Sequence, residues 1–133
     1  MDKSRIEKPS LLAPLVLAYA GDAVYEVFVR NKLIEMHPDM PVYKLHREAT
    51  KFVRAHAQSN SILAIEENLT PQEEAIYKRG RNAKSPTVPK NADVSEYRRA
   101  TGLEALMGYL YLNGEEDRLR EVMEMAFETA LDS

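Results

Sequence analysis

The chain contains no cysteine, which excludes disulfides and thiolate metal sites. It has no uninterrupted apolar run of about 18 residues, so no transmembrane helix is expected. The polar N-terminus MDKSRIEKPS shows no signal peptide, and the apolar stretch behind it is broken by Pro14 and Asp22. A soluble cytoplasmic protein with no membrane partner is the expectation. No alternating strand pattern, internal repeat or linker is visible, so 133 residues suit one all-α domain. His37, His46 and His56 lack metal-ligand spacing, and no His-Asp doublet is present, which counts against a helical metal phosphohydrolase. Neither a GxSxG elbow nor a P-loop occurs.

What is there is helical signal. Pro9-Ser10 opens an apolar stretch from Leu11 to Ile34 that is apolar on nearly every side, the pattern of a central buried helix. HPDMP at 37–41 stops it. Apolar spacing predicts a helix over 42–57, a break near 56–60 and a further helix over 58–68. LTPQEE at 69–74 is a helix start, with Thr70 as N-cap, Pro71 at the first position and Glu73 as capping-box partner. That helix should end near Asn82 or Ala83, and KSPTVPKNADVS at 84–95 reads as a mobile loop. Helices over about 95–112 and 115–131 follow, separated by Asn113-Gly114.

Charge is unevenly placed. The net charge is −3, yet residues 78–99 hold seven Lys/Arg against Asp93 and Glu96, a local +5. A concentrated basic patch on an acidic protein suggests a polyanion docking in one place. Arg79, Arg81 and Lys84 alternate with small residues, Asn82 and Ser85 can donate to phosphate oxygens, and Gly80 permits close backbone approach. Lys90, Arg98 and Arg99 extend the set to the next helix. The bland alternative is a solvated helix end whose cations complement the helix dipole. With no aromatic residue between 78 and 96 to stack bases, a phosphate-binding segment suits duplex backbone better than single strands. His46, near Lys44 and Arg47, is either an additional RNA contact or a core-edge histidine.

Two acids stand out on apolar helices. Asp22 lies in YAGDAVYEVFVR with Ala18 and Gly21 around it, and Glu104 lies in TGLEALMGYLYL with Ala100 and Gly108 around it. Small neighbours let another helix or a bulky ligand come close, and a buried unpaired carboxylate is too costly to keep ionised. Two such acids on facing helices offer a hard oxygen site for Mg²⁺. Equally, Asp22 could bond backbone amides at a kink and Glu104 could meet Arg98.

Gly21-Asp22-Ala23 followed by Glu104-Ala105-Leu106-Met107-Gly108 resembles the ribonuclease III family, and RGRNAKS at 79–85 looks closest to its Mini-ribonuclease III branch, reduced to the catalytic domain. The resemblance covers about residues 10–131. It implies a helical, homodimeric ribonuclease III-type endonuclease domain over 1–133 without a double-stranded-RNA-binding domain. It also implies Mg²⁺, with Mn²⁺ as a substitute, on Asp22 and Glu104 as catalytic metal ligands. The implied reaction is cleavage of double-stranded RNA to 5′-phosphate products, in the maturation of large-subunit (23S) ribosomal RNA precursor, with room for a ribosomal-protein stimulator. The sequence departs from the family where two further acids are expected, at Ala18 and Thr101; Glu26, one turn after Asp22, is a substitute candidate. The rival implication is a catalytically inactive RNA-binding or ribosome-associated module on the same fold.

Overall fold

The computed structural model describes residues 6–85 and 88–133. All its regular structure is helical: α1 (Pro14–Met36), α2 (Val42–Val53), α3 (Ala55–Ile65), α4 (Pro71–Asn82), α5 (Val94–Leu112) and α6 (Glu116–Leu131), with short 3-10 turns at Pro9–Leu11 and Glu66–Asn68. α5 is the axis of the fold. α1, α3 and α4 pack along it, α6 closes the far side against α3, and α2 packs chiefly on α1. The core is built where these helices meet, from Leu17, Tyr25, Val29, Leu103, Leu106, Met107, Leu110 and Phe127 among others.

α1 starts later than its apolar pattern suggests. Ala13 is extended, with ψ 139°, because the ring of Pro14 disfavours helical backbone in the residue before it; the helix begins at the proline and the preceding turn is separate. The break expected at 56–60 lies instead at Arg54, whose ψ of 156° is extended. No glycine or proline marks it. Gln58 makes it tolerable: its Nε2 donates to the carbonyl of Val53 at 2.8 Å, satisfying a group that the end of α2 leaves orphaned.

The capping box of α4 is present as read. Thr70 Oγ1 accepts from the Glu73 amide at 3.1 Å, and Glu73 accepts from the Thr70 amide at 2.9 Å. Glu73 is itself buried and receives Arg118 of α6 at 2.8 and 2.9 Å, so its charge is paired and its oxygens are bonded, as a buried carboxylate requires. Asp93 caps α5, one residue ahead of the expected start, by accepting from the Glu96 amide. Gly114, at φ 74°, makes the α5–α6 turn.

The contact that positions everything else is the crossing of α1 and α5. A Cβ on Gly21 would lie 1.8 Å from the carbonyl oxygen of Glu104, and one on Gly108 would lie 1.8 Å from the carbonyl oxygen of Leu17. The two helices therefore touch backbone to backbone, which only glycine allows at both places. α4 meets α5 in the same way. Gly80 is buried with its α-carbon facing Gly102 and Ala105. The close approach it permits is that of α5, not that of a phosphate from outside.

Candidate active site

The α1–α5 crossing sets Asp22 beside Glu104. Asp22 follows Gly21 directly, and the Glu104 backbone lies against Gly21, so both carboxyls emerge at one point of the crossing. They are near enough to share a hydrogen bond, and the Glu104 carboxyl is pushed up to about 8 by burial first and the neighbouring Asp22 second. Gln58 opposes that rise, its Nε2 lying 3.3 Å from Glu104 Oε2. Arg98 is not among the groups that set the Glu104 charge; it stands exposed near the start of α5.

A carboxyl whose charge is opposed by burial and by a neighbouring carboxyl is one that a divalent cation stabilises in its ionised form. Both are oxygen donors, and among the described residues no group of three or more His, Cys, Asp or Glu is clustered for a metal. Two carboxylates with water and substrate phosphates completing the shell is the habit of Mg²⁺ rather than of zinc. The pair fits the ion. Glu26 and Thr101 are engaged elsewhere: Glu26 accepts from Arg30 at 3.1 Å, and the Thr101 hydroxyl donates to the Tyr97 carbonyl at 3.0 Å.

The basic residues divide into two sets. Lys84, Ser85, Arg98 and Thr101 line one pocket of about 260 Å³ between the end of α4 and the start of α5, so three of the anticipated phosphate contacts converge. Arg81 lies over the Tyr77 ring at 5.6 Å and donates to Asn82 Oδ1 at 3.2 Å. Lys90 is exposed in a turn closed by the Ala92 amide and the Pro89 carbonyl. Pro86 and Thr87 of the expected loop lie outside the described residues. Arg79 and Arg99 face inward tasks. Arg79 donates to the carbonyls of Ser10 and Leu12 at 2.6 and 3.1 Å, clamping the N-terminal segment to α4. Arg99 donates to Ser59 Oγ at 2.7 Å, tying α5 to α3. His46 is on α2 beside Arg30 and Tyr43, on an element that packs chiefly on α1 rather than with the basic set.

A family model for the Ribonuclease III domain matches residues 15–115. The chain belongs to the ribonuclease III family. It is similar to Mini-ribonuclease 3 of Clostridium tetani, 51% identical over 84% of this chain and 74% of that one. Mini-ribonuclease 3 of Symbiobacterium thermophilum is 48% identical, covering 92% of this chain and 93% of the relative. A Fusobacterium nucleatum protein solved by crystallography superposes with a TM-score of 0.79 at 29% identity, over 89% of this chain and 93% of its own. The helical fold is thus that of ribonuclease III, and membership makes the chain an endoribonuclease.

Sequence reasoning missed one residue at the acid pair, Gln58. An amide between alanine and serine on a helix carries no signal until the break at Arg54 brings it to Val53 and Glu104.

Proposed function

We propose that this protein cuts double-stranded RNA hydrolytically with Mg²⁺, leaving 5′-phosphate ends, and that residues 1–133 act as one catalytic unit. The observation that carries the reading is the Asp22–Glu104 pair at the α1–α5 crossing. When bound there, the ion would supply positive charge that makes a water nucleophilic and steadies the departing oxygen. Asp22 and Glu104 would hold the ion, and the α1–α5 backbone contact fixes the spacing between them. Glu104, the more enclosed of the two, would hold the ion in its ionised form. Lys84, Ser85, Lys90, Arg81 and Arg98 take the RNA backbone, since phosphate contacts position a duplex without reading its sequence.

A homodimer fits the surface of α1. Val16, Val27 and Tyr19 are exposed, Tyr19 at 84%, and Ala20, Val24, Val27, Leu119 and Met123 line a groove shared with α6. Two copies meeting on this face would bring two acid pairs to one duplex, one for each strand. The substrate that the Mini-ribonuclease 3 likeness favours is precursor of large-subunit (23S) ribosomal RNA, processed in the cytoplasm with a ribosomal protein as stimulator.

The test is incubation of the full chain with a long RNA duplex, its single strands, and Mg²⁺ or EDTA. Cleavage of the duplex alone, dependent on Mg²⁺, with sedimentation above the 15.1 kDa monomer, is expected. Cleavage of single strands, or cleavage in EDTA, would sink the reading.

The basic set yields a separate prediction. Replacing Arg81, Lys84 and Lys90 with alanine should weaken binding to unrelated duplexes almost equally. Each lost contact should flatten the plot of log affinity against log salt by about 0.7 to 0.9, the range for nucleic acid strands and duplexes. Arg79→Ala should instead lower thermal stability with little change of slope, because its guanidinium is spent on Ser10 and Leu12. Equal slopes for wild type and the triple variant would place the patch in solvent.

A further inference from the structure

Gln58 is 2% exposed, and its carboxamide is only half satisfied. Nε2 faces the Val53 carbonyl at 2.8 Å and Glu104 Oε2 at 3.3 Å, which engages both of its hydrogens. Oε1 is buried with no hydrogen-bond partner among the described residues. Turning the amide over would not help, since Oε1 would then face the Val53 carbonyl, a group that can only accept. An orphaned buried acceptor is costly, since it gives up its bonds to water and gains none in return. A hydrocarbon side chain of similar volume would avoid that cost but leave the Val53 carbonyl without its partner. The amide is anchored at the α2–α3 break and held against one of the two acids, so its Nε2 fixes where the Glu104 carboxyl lies.

We propose that Gln58 is a positioning residue of the cation site, orienting the Glu104 carboxylate through Nε2 while its second amide hydrogen is held by the Val53 carbonyl. The inference rests on the Asp22–Glu104 reading above. Its physical basis is that partners outside the ligand set fix ligand orientation, and their loss typically weakens metal binding by about 10- to 100-fold. A purely structural Gln58 would cap Val53 and nothing more. Its loss would then lower stability and leave the ion untouched. Arg99 on Ser59 and His56 Nδ1 on Glu96 brace α3 against α5 on either side, so replacing Gln58 need not displace the helix.

The test uses the full chain without RNA. Mn²⁺ uptake is followed by electron paramagnetic resonance for wild type, Glu104→Gln and Gln58→Met, with circular dichroism melts in parallel. Gln58→Met is expected to fold, to bind Mn²⁺ about tenfold more weakly, and to lose kcat on duplex RNA with KM within about twofold. In ¹⁵N-labelled wild type, the Gln58 side-chain amide resonance is expected to move on addition of Mg²⁺. A folded Gln58→Met with Mn²⁺ affinity within about twofold of wild type overturns the inference. If Glu104→Gln loses the ion in the same experiment, the acid-pair reading stands without Gln58. Should Gln58→Met fail to fold, the amide resonance decides, and one unmoved by saturating Mg²⁺ overturns the inference. A wild type that takes up no Mn²⁺ defeats the acid-pair reading and this inference together.

Discussion

Glu104→Gln is expected to lower cleavage by roughly a hundredfold or more, about 2.7 kcal/mol of transition-state stabilisation, and to make the metal-free protein more stable at pH 8. The first effect follows from removing one of the two carboxylates proposed above to hold the ion; Asp22→Asn should share it. The second follows from the Glu104 carboxyl being pushed up to about 8 from an ordinary 4.5. Between those two values the folded chain holds a proton that the unfolded chain has released. Stability is therefore highest below about pH 4.5 on this account and falls as pH rises through about 8, by roughly 1.4 kcal/mol per unit. Glutamine stands in for the protonated acid and has no such slope. Urea unfolding in EDTA at pH 6, 7 and 8.5 should show the wild-type midpoint falling faster than that of Glu104→Gln. Parallel midpoints would mean that Glu104 is not protonated in the metal-free fold. A variant retaining more than about a tenth of wild-type cleavage would remove Glu104 from the principal ligands.

Gly21→Ala and Gly108→Ala should each come close to unfolding the protein. The added Cβ meets a carbonyl oxygen of the opposite helix at 1.8 Å in both cases. The obstacle is backbone, so no side chain can swing aside and the helices must separate along the longest contact in the fold. Overpacking of this kind costs upward of roughly 3 kcal/mol, a large part of the 5–15 kcal/mol typical of a domain. A fall in Tm of about 10 °C or more is expected. Gly114→Ala is the control: its φ of 74° is strained for alanine, but nothing lies within 4 Å, so about 1 kcal/mol should be lost. Comparable melts for Gly108→Ala and Gly114→Ala would show that the crossing yields more readily than its geometry indicates.

How much of this was legible in the sequence depended on whether the cause was local. Gly21 and Gly108 stood out because glycine has no reason to lie in the middle of an apolar helix except to let something near. Thr70, Pro71 and Glu73 announced α4 because a capping box is completed within one turn. The break at Arg54 is not legible because no glycine or proline marks it, and the side chain that satisfies the freed Val53 carbonyl comes from Gln58, in the next helix. Gln58 was passed over for the same reason. Arg79 and Arg99 looked like phosphate contacts because a sequence shows a charge but not the carbonyl or hydroxyl already waiting for it. Gly80 suggests an opening toward ligand in the sequence, whereas its neighbour in the fold is Gly102, a residue 22 positions away whose proximity depends on the packing of α4 against α5.

The backbone contact between α1 and α5 also sets what can vary. Spacing of the acid pair is written into main-chain atoms rather than into loops, so the chemistry is insulated from changes elsewhere on the surface. Lys84 and Ser85, which line a pocket with Arg98 of α5, belong instead to the connection between α4 and α5. Libraries that diversify residues 84–92 should therefore yield proteins with altered affinity for RNA and undiminished chemical competence, whereas libraries of the same size on residues 17–22 or 104–108 should yield mostly unfolded chains.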